Sequence, residues 1–132
     1  MKKDRVIVDT SVWIEYFREK EEVVDYIERE LMEGRVCMVG PVVSELLQGV
    51  KNPGEYNELR NCIDAVPFVE SSLNDWKKAG KISGELRRDG ITIPLTDIFI
   101  AAVAINREMK VYSFDVHFKE IPGVKLFEQR LK

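Results

Sequence analysis

The chain has 132 residues, of which 45% are hydrophobic and 33% are charged. This composition excludes a disordered chain and a membrane-embedded chain, and the length predicts one globular domain spanning residues 1–132. The formal net charge of −3 excludes a general electrostatic attraction to nucleic acid or anionic lipid, so a polyanion would have to meet a local patch of basic side chains.

The predicted elements alternate between strands and helices from the start of the chain. Residues 5–8 end in a continuously apolar, β-branched run, which is typical of a strand buried on both faces of a parallel sheet. We expect Thr10 or Ser11 to cap the short helix that follows. Apolar residues spaced four apart predict a second helix over residues 21–33, with Gly34 as its C-terminal stop.

The middle of the chain continues the alternation. Residues 36–39 form the second predicted strand, and Pro41 is placed to open a helix over residues 42–50. A further helix is expected from about residue 55 to residue 64. This helix leads into a third predicted strand at residues 66–69.

The last part of the chain contains the two most regular helices. Leu73–Arg88 is amphipathic, and residues 98–105 are apolar on nearly every side, which predicts a central helix with Thr96 as its N-cap. Strands at residues 111–114 and 124–127 complete the set. The resulting order predicts an α/β fold with a mainly parallel sheet and helices on both faces.

Four acidic residues fall where such a fold places its functional crevice, beyond the carboxyl ends of the strands. Asp9 follows the first strand, Asp115 follows the strand at residues 111–114, and Glu45 and Asp97 lie in the first turns of predicted helices. Each has a simpler explanation when taken alone. Asp9 and Asp97 would stabilise helix N-termini, Asp115 would form a turn, and Glu45 would face solvent. Helix capping, however, does not require four acids to converge.

Convergence of these carboxylates would require a cation, because crowded carboxylates repel one another and raise one another's pKa. Oxygen ligands suit Mg²⁺ or Mn²⁺, which also bind phosphate oxygens. One or two such ions can lower the pKa of a bound water and orient it for attack on a phosphodiester bond. The acids therefore indicate a metal-dependent enzyme that acts on a nucleic-acid backbone.

The combination of these motifs resembles the PIN-domain ribonucleases, and within them the VapC toxins of prokaryotic toxin–antitoxin pairs. The motifs cover essentially the whole chain in order: Asp9-Thr10-Ser11, Ser44-Glu45-Leu46, Thr96-Asp97 with Ile100-Ala101-Ala102, and Ser113-Phe114-Asp115-Val116-His117-Phe118. The resemblance implies a three-layer α/β/α sandwich and Mg²⁺- or Mn²⁺-dependent endonucleolytic cleavage of RNA. It also implies a homodimer that is inhibited by a cognate VapB-like antitoxin, whose tail occupies the active-site groove.

The resemblance also implies roles for individual positions. Asp9, Glu45, Asp97 and Asp115 match the acidic quartet that binds metal and activates water, with Asp9 and Asp97 as the most direct ligands. Ser113 matches a hydroxyl that hydrogen-bonds to a ligand or to a water. We expect Thr10 to help to fix Asp9 as well as to cap the first helix.

His117 stands where some relatives carry a further acid, which leaves a second metal ion open. It is the only histidine, so zinc-hydrolase motifs and a Ser-His-Asp triad have little support. We expect His117 to have a packing or surface role, with a groove-edge contact to substrate as the alternative.

Two other functions remain open on the sequence alone. One is a non-catalytic PIN-fold module that binds RNA or protein, although such a module has no need for crowded carboxylates. The other is a phosphotransfer domain with Asp9 as the phosphoryl acceptor, although the sequence lacks a DxDxT pattern. Whether the chain is a toxin or a stand-alone processing nuclease is also open.

The remaining residues are given ordinary structural roles. Cys37 and Cys62 lack metal-binding spacing and are expected to be buried, reduced thiols of a cytosolic protein. The N-terminus lacks a signal-peptide core, and no segment has the length of a membrane span. Trp13, Phe17 and Trp76 are expected to pack in the core, and Asp25, Asp75 and Asp89 to be solvated.

Overall fold

The structure is a computed structural model that describes residues 4–128. In chain order its elements are β1 (Val6–Val8), α1 (Thr10–Phe17), α2 (Glu21–Met32), β2 (Val36–Cys37), α3 (Gly40–Gln48), α4 (Pro53–Asp64), α5 (Leu73–Arg88), α6 (Leu95–Asn106), β3 (Lys110–Tyr112) and β4 (Lys125–Leu126). A 3-10 helix, Val116–Glu120, connects β3 to β4. No helix within residues 4–128 combines the length and the apolar character needed to cross a membrane.

The strands form a four-stranded, entirely parallel sheet in the order β2-β1-β3-β4. Ile7 on β1 lies opposite Cys37 on β2 and Val111 on β3. All three residues of β1 are buried, as expected for a central strand covered on both faces. The predicted α/β class and the three-layer α/β/α arrangement are confirmed. The carboxyl ends of β1 and β3 therefore lie side by side, which places Asp9 beside Ser113.

α6 is the central helix that its apolar sequence predicts. Every residue from Asp97 to Ala104 is buried, and the helix packs against β3 and α5. α5 begins and ends at the predicted residues, because Ser72 and Asp75 form a capping box at its start and Gly90 follows its end with a φ of +81°.

The third predicted strand, at residues 66–69, is wrong. Only one parallel bridge, from Met38 to Phe68, forms there. The Pro67 carbonyl accepts a hydrogen bond from the Met38 N–H at 2.8 Å, and the Val69 N–H donates to the Met38 carbonyl at 2.8 Å. Pro67 has no N–H of its own to extend the ladder, so the pairing ends after one residue.

The predicted helix caps are also wrong at two places. Thr10 is the first residue of α1, whose N-cap is Asp9, and neither Thr10 nor Ser11 caps the helix. α6 begins at Leu95 after Pro94, so Thr96 lies inside the first turn. Thr10 and Ser11 direct their hydroxyls to carboxylates instead.

Two burial predictions need correction. Cys37 is buried as expected, but Cys62 on α4 is exposed. Asp75 is fully buried, because its carboxylate accepts two hydrogen bonds from the Arg107 guanidinium at 2.8 and 2.9 Å and a third from the Asn106 amide at 2.9 Å. This ion pair joins the start of α5 to the end of α6.

Candidate active site

Asp9 is held at the end of β1 by hydrogen bonds from two serine hydroxyls. Its carboxylate oxygen Oδ2 accepts from Ser113 Oγ at 2.7 Å and from Ser11 Oγ at 3.0 Å. Asp9 is the N-cap residue of α1, but its side chain makes no capping hydrogen bond. Only 5% of its surface is exposed. Helix capping therefore does not account for this buried carboxylate.

The hydrogen-bonding capacity of the two serines leaves one oxygen of Asp9 available. Each hydroxyl has a single proton, and both protons are directed to Asp9 Oδ2. Each hydroxyl also accepts one backbone N–H, from Phe114 at 3.0 Å for Ser11 and from Asp115 at 2.9 Å for Ser113. Within residues 4–128, no hydrogen bond is donated to Asp9 Oδ1, which is therefore free to bind a ligand.

Asp97 and Asp115 lie together beside His117. The His117 Nδ1 atom lies 3.2 Å from Asp97 Oδ2 and 3.1 Å from Asp115 Oδ1. Asp115 is the N-cap of the 3-10 helix and accepts a hydrogen bond from the His117 N–H at 2.9 Å. One potential ligand atom from each of the three residues lies within 4.8 Å of the other two. The short 3-10 turn thus places His117 over the carboxylates.

The electrostatics connect Asp9 to this group. Burial raises the pKa of Asp97, and the negative charges of Asp115 and Asp9 raise it further, although its hydrogen bond with His117 opposes them. The same hydrogen bond with Asp97 raises the pKa of His117, and the charge of Asp115 adds to this effect. A protonated His117 therefore partly neutralises carboxylates that repel one another.

Glu45 lies at the edge of the same site and is connected to it through Thr10. The Thr10 hydroxyl donates to Glu45 Oε1 at 2.8 Å across the interface between α1 and α3. Glu45 is partly buried. It does not belong to the compact group formed by Asp97, Asp115 and His117. Thr10, which the sequence places beside Asp9, therefore positions Glu45.

The donor set fits a divalent cation. Carboxylate oxygens are the ligands that Mg²⁺ and Mn²⁺ prefer, and an imidazole nitrogen is a common ligand of first-row transition metals. Burial, and after it the charges of Asp115 and Asp9, raise the pKa of Asp97, and a bound cation would oppose both effects. Among the residues that the structure describes, the compact group able to hold an ion consists of Asp97, Asp115 and His117, and Asp9 and Glu45 lie outside it.

His117 has contacts that its predicted packing or surface role does not include. Its side chain is 40% exposed, and its imidazole contacts two of the four acids. The available signal was its position two residues after Asp115, where some PIN-domain relatives carry a further acid. Two of the three aromatic predictions are wrong, since Trp13 is buried but Phe17 and Trp76 are 41% and 51% exposed.

A long cavity borders the acidic site. Its volume is about 630 Å³, and it begins at Thr10 and Glu45 and continues between α1, α3 and α4. Its walls are largely apolar and include the half-exposed Ile14 and Phe17. Cys62 also lines this cavity.

Comparison with known proteins agrees with this geometry. The PIN-domain family model matches residues 6–124. The chain is 30% identical over 124 residues to ribonuclease VapC11 of Mycobacterium tuberculosis, covering 90% of this chain and 92% of that protein, and it is equally similar to VapC ribonuclease Mb1587 of Mycobacterium bovis.

Solved structures show the same fold. VapBC2 from Rickettsia felis, bound to a promoter DNA fragment, matches with a TM-score of 0.83 at 18% identity, covering 95% of this chain and 98% of that chain. DNA-bound VapBC from Salmonella typhimurium matches with a TM-score of 0.83 at 22% identity, covering 93% and 96%. VapC20 of Mycobacterium tuberculosis, a toxin that cleaves the sarcin-ricin loop, matches with a TM-score of 0.62 at 16% identity, covering 92% and 98%.

Proposed function

Because this chain belongs to the PIN-domain family and is similar to VapC ribonucleases over nine-tenths of its length, we propose that it is a divalent-metal-dependent endoribonuclease and the toxin of a toxin–antitoxin pair. Its reaction is the hydrolysis of RNA phosphodiester bonds, with Mg²⁺ or Mn²⁺ as the cofactor. Asp9, Glu45, Asp97 and Asp115 are the proposed catalytic and metal-binding residues.

One observation carries this proposal: acids from three distant parts of the sequence meet at the carboxyl edge of the sheet. Asp9 follows β1, Asp97 lies in the first turn of α6, and Asp115 follows β3. The negative charges of Asp9 and Asp115 both act on Asp97. A protein without a cationic ligand would gain no stability from this arrangement, because it concentrates repelling charges.

The side chains of the site have separate tasks. Asp9, Asp97 and Asp115 hold the cation, and the Ser113 hydroxyl fixes two of them by donating to Asp9 and accepting from the Asp115 N–H. When bound, a divalent ion supplies Lewis-acid chemistry, which lowers the pKa of a water and neutralises the phosphate. Glu45, held by Thr10, lies where it can accept a proton from a water at the edge of the site.

His117 belongs to this site as a positioning residue. Its imidazole contacts Asp97 and Asp115 and keeps the two carboxylates in a fixed relation. When protonated, His117 is a cation and neutralises the carboxylates as a metal ion would. Metal binding therefore requires that His117 lose its proton or turn away.

The cavity beside Glu45 suits a VapB-like antitoxin, which we propose as the partner. An apolar groove between helices is typical of sites that receive an amphipathic helix, and this groove leads directly to Thr10 and Glu45. An antitoxin segment lying there would end at the acids and block them.

We also propose that the chain forms a homodimer, which sedimentation equilibrium tests.

Cys62 allows a direct test of the groove. It lines the groove and is exposed, whereas Cys37 is buried, so a maleimide reagent reports on this one position. The product of the adjacent reading frame, co-purified with the chain, should protect Cys62 from labelling and suppress ribonuclease activity. If no small protein is encoded there, a stand-alone processing nuclease is favoured.

The proposed activity is tested with purified protein and single-stranded RNA. We expect cleavage with Mg²⁺ or Mn²⁺, none in chelator, and none for Asp9→Asn or Asp97→Asn. Asp25→Asn is the matched control, because Asp25 is an exposed aspartate on α2. Full activity in chelator, or in either site variant, would refute the proposal. RNA binding without cleavage would instead favour a non-catalytic module. Detection of a phosphoryl group on Asp9 would favour a phosphotransfer domain.

A further inference from the structure

A second cavity shares two residues, Ser113 and Asp115, with the acidic site. Its volume is about 360 Å³, and these two residues form the shared wall. The other walls are largely apolar and include the aromatic residues Tyr112, Phe114 and Phe127. We refer to it as the aromatic cavity.

Phe114 is held in this cavity with its ring accessible. Its ring lies edge-on to Tyr112 at a centroid distance of 5.5 Å, and Tyr112 is almost fully buried. Its backbone N–H donates to the Ser11 hydroxyl that also binds Asp9. Despite these constraints, 46% of Phe114 remains exposed. Phe114 therefore presents a half-exposed ring directly next to Asp115, a proposed metal ligand.

Basic side chains border the same ring. The Lys20 ammonium lies 5.5 Å from the centroid of Phe114, and Lys119 also lines the cavity. The two lysines therefore line the same cavity as the acidic residues Glu128 and Asp115. Asp115 is a proposed metal ligand. Lys20 lies over the Phe114 ring in a cation–π contact. A half-exposed aromatic ring with two lysines in the same cavity matches a nucleotide, whose base stacks on the ring while its phosphates meet the positive charges.

We infer that the aromatic cavity receives an unpaired base of the RNA next to the cleaved phosphodiester, and that Phe114 is the ring on which this base stacks. The inference rests on the proposed ribonuclease function, because the shared Ser113–Asp115 wall then places the neighbouring nucleotide at the cavity mouth. Single-stranded RNA is commonly recognised through bases stacked on aromatic side chains. Phe114 would thus determine where the RNA strand is cut.

Binding without cleavage tests this inference independently of catalysis. The cleavage-deficient Asp97→Asn protein is titrated into a short labelled single-stranded RNA of mixed sequence, and anisotropy is measured. Adding Phe114→Leu should weaken binding roughly tenfold, the loss typical of one stacked base. Phe114→Tyr should retain the affinity, as should the control Phe68→Leu, which removes an exposed ring at the far edge of the sheet. Lys20→Gln should reduce the slope of log affinity against log salt by about 0.7.

Cleavage of a randomised RNA pool by the otherwise unaltered chain gives the second measurement. We expect a base preference at one position beside the cut, which Phe114→Leu loses and Phe114→Tyr keeps. If Phe114→Leu leaves both affinity and preference unchanged, the inference is wrong. A change in sedimentation without a change in RNA affinity would also overturn it and would assign the surface to a protein contact.

The two proposals fail in distinguishable ways. If the unaltered chain cuts no RNA but Phe114→Leu still weakens RNA binding, the proposed function is wrong and the aromatic cavity still binds a base. If Asp9→Asn abolishes cleavage but Phe114→Leu changes neither affinity nor base preference, the proposed function stands and the cavity does not bind a base. Unchanged thermal unfolding of Phe114→Leu confirms that neither result reflects misfolding.

Discussion

Replacement of Arg107 by Met should destabilise the protein far more than loss of an ordinary surface ion pair. Arg107 donates through both terminal nitrogens to Asp75, whose side chain is 1% exposed. The arginine lowers the pKa of Asp75 well below its usual range. Methionine fills similar space but leaves the carboxylate buried with only neutral donors, the Asn106 amide and the N–H and hydroxyl of Ser72.

The size of the effect follows from this burial. Breaking a buried ion pair by removing one partner costs about 3–5 kcal/mol, whereas an exposed pair contributes about 0–1 kcal/mol. At roughly 4 °C per kcal/mol for a chain of this size, Arg107→Met should lower Tm by about 10–20 °C. Asp97 lies at the opposite end of α6 from Arg107. Activity measured well below the new Tm should therefore be retained.

Urea unfolding of Arg107→Met and of the double variant Asp75→Asn/Arg107→Met measures the effect. The double variant should recover more than half of the lost stability, because no buried charge remains. If Arg107→Met lowered the free energy of unfolding by less than about 1 kcal/mol, the reasoning would be refuted. An equal decrease in the free energy of unfolding of the double variant would also refute it.

The pH dependence gives a second check on the same pair. Because the pKa of Asp75 is lowered in the folded state, its ion pair contributes fully above the usual aspartate value near 3.9. This contribution is lost as the pH falls from there through the folded-state pKa. The stability difference between the unaltered chain and Arg107→Met should therefore shrink below about pH 4.

Three further predictions concern the acidic site. Ser113→Ala removes a donor to Asp9, so the Mn²⁺ concentration needed for cleavage should rise roughly 10- to 100-fold, and an unchanged requirement would contradict its role. Thr10→Val should lower cleavage roughly tenfold by releasing Glu45, while Thr10→Ser should not. Since the pKa of His117 is raised above 6.5 and its proton competes with metal, calorimetric Mn²⁺ affinity should fall as the pH drops through that pKa. His117→Gln should flatten this dependence.

Much of the fold could be predicted because local sequence and tertiary packing agree. The amphipathic pattern and terminal signals of Leu73–Arg88 give the helix its observed bounds. The apolar run after Asp97 predicts a central helix, which α6 is. Residues 66–69 have strand-like composition, but Pro67 and a single available partner, Met38, limit them to one bridge.

The acids of the candidate site could be proposed because their positions depend on topology. Parallel strands bring their carboxyl ends to one edge, so residues directly after β1 and β3 must be neighbours. His117 could not be placed this way, because the direction of its side chain depends on the 3-10 turn that begins after Asp115. Asp75 likewise reads as a solvated helix residue, since nothing local shows that Arg107 comes to cover it.

The central claim is that Asp9, Asp97 and Asp115 together bind a divalent cation, and anomalous X-ray diffraction from crystals soaked in Mn²⁺ tests it most directly. The account predicts an anomalous peak in contact with carboxylate oxygens of all three residues, and its loss in Asp97→Asn crystals. At saturating Mn²⁺, no peak among these carboxylates, or a peak that persists in Asp97→Asn, would contradict the account.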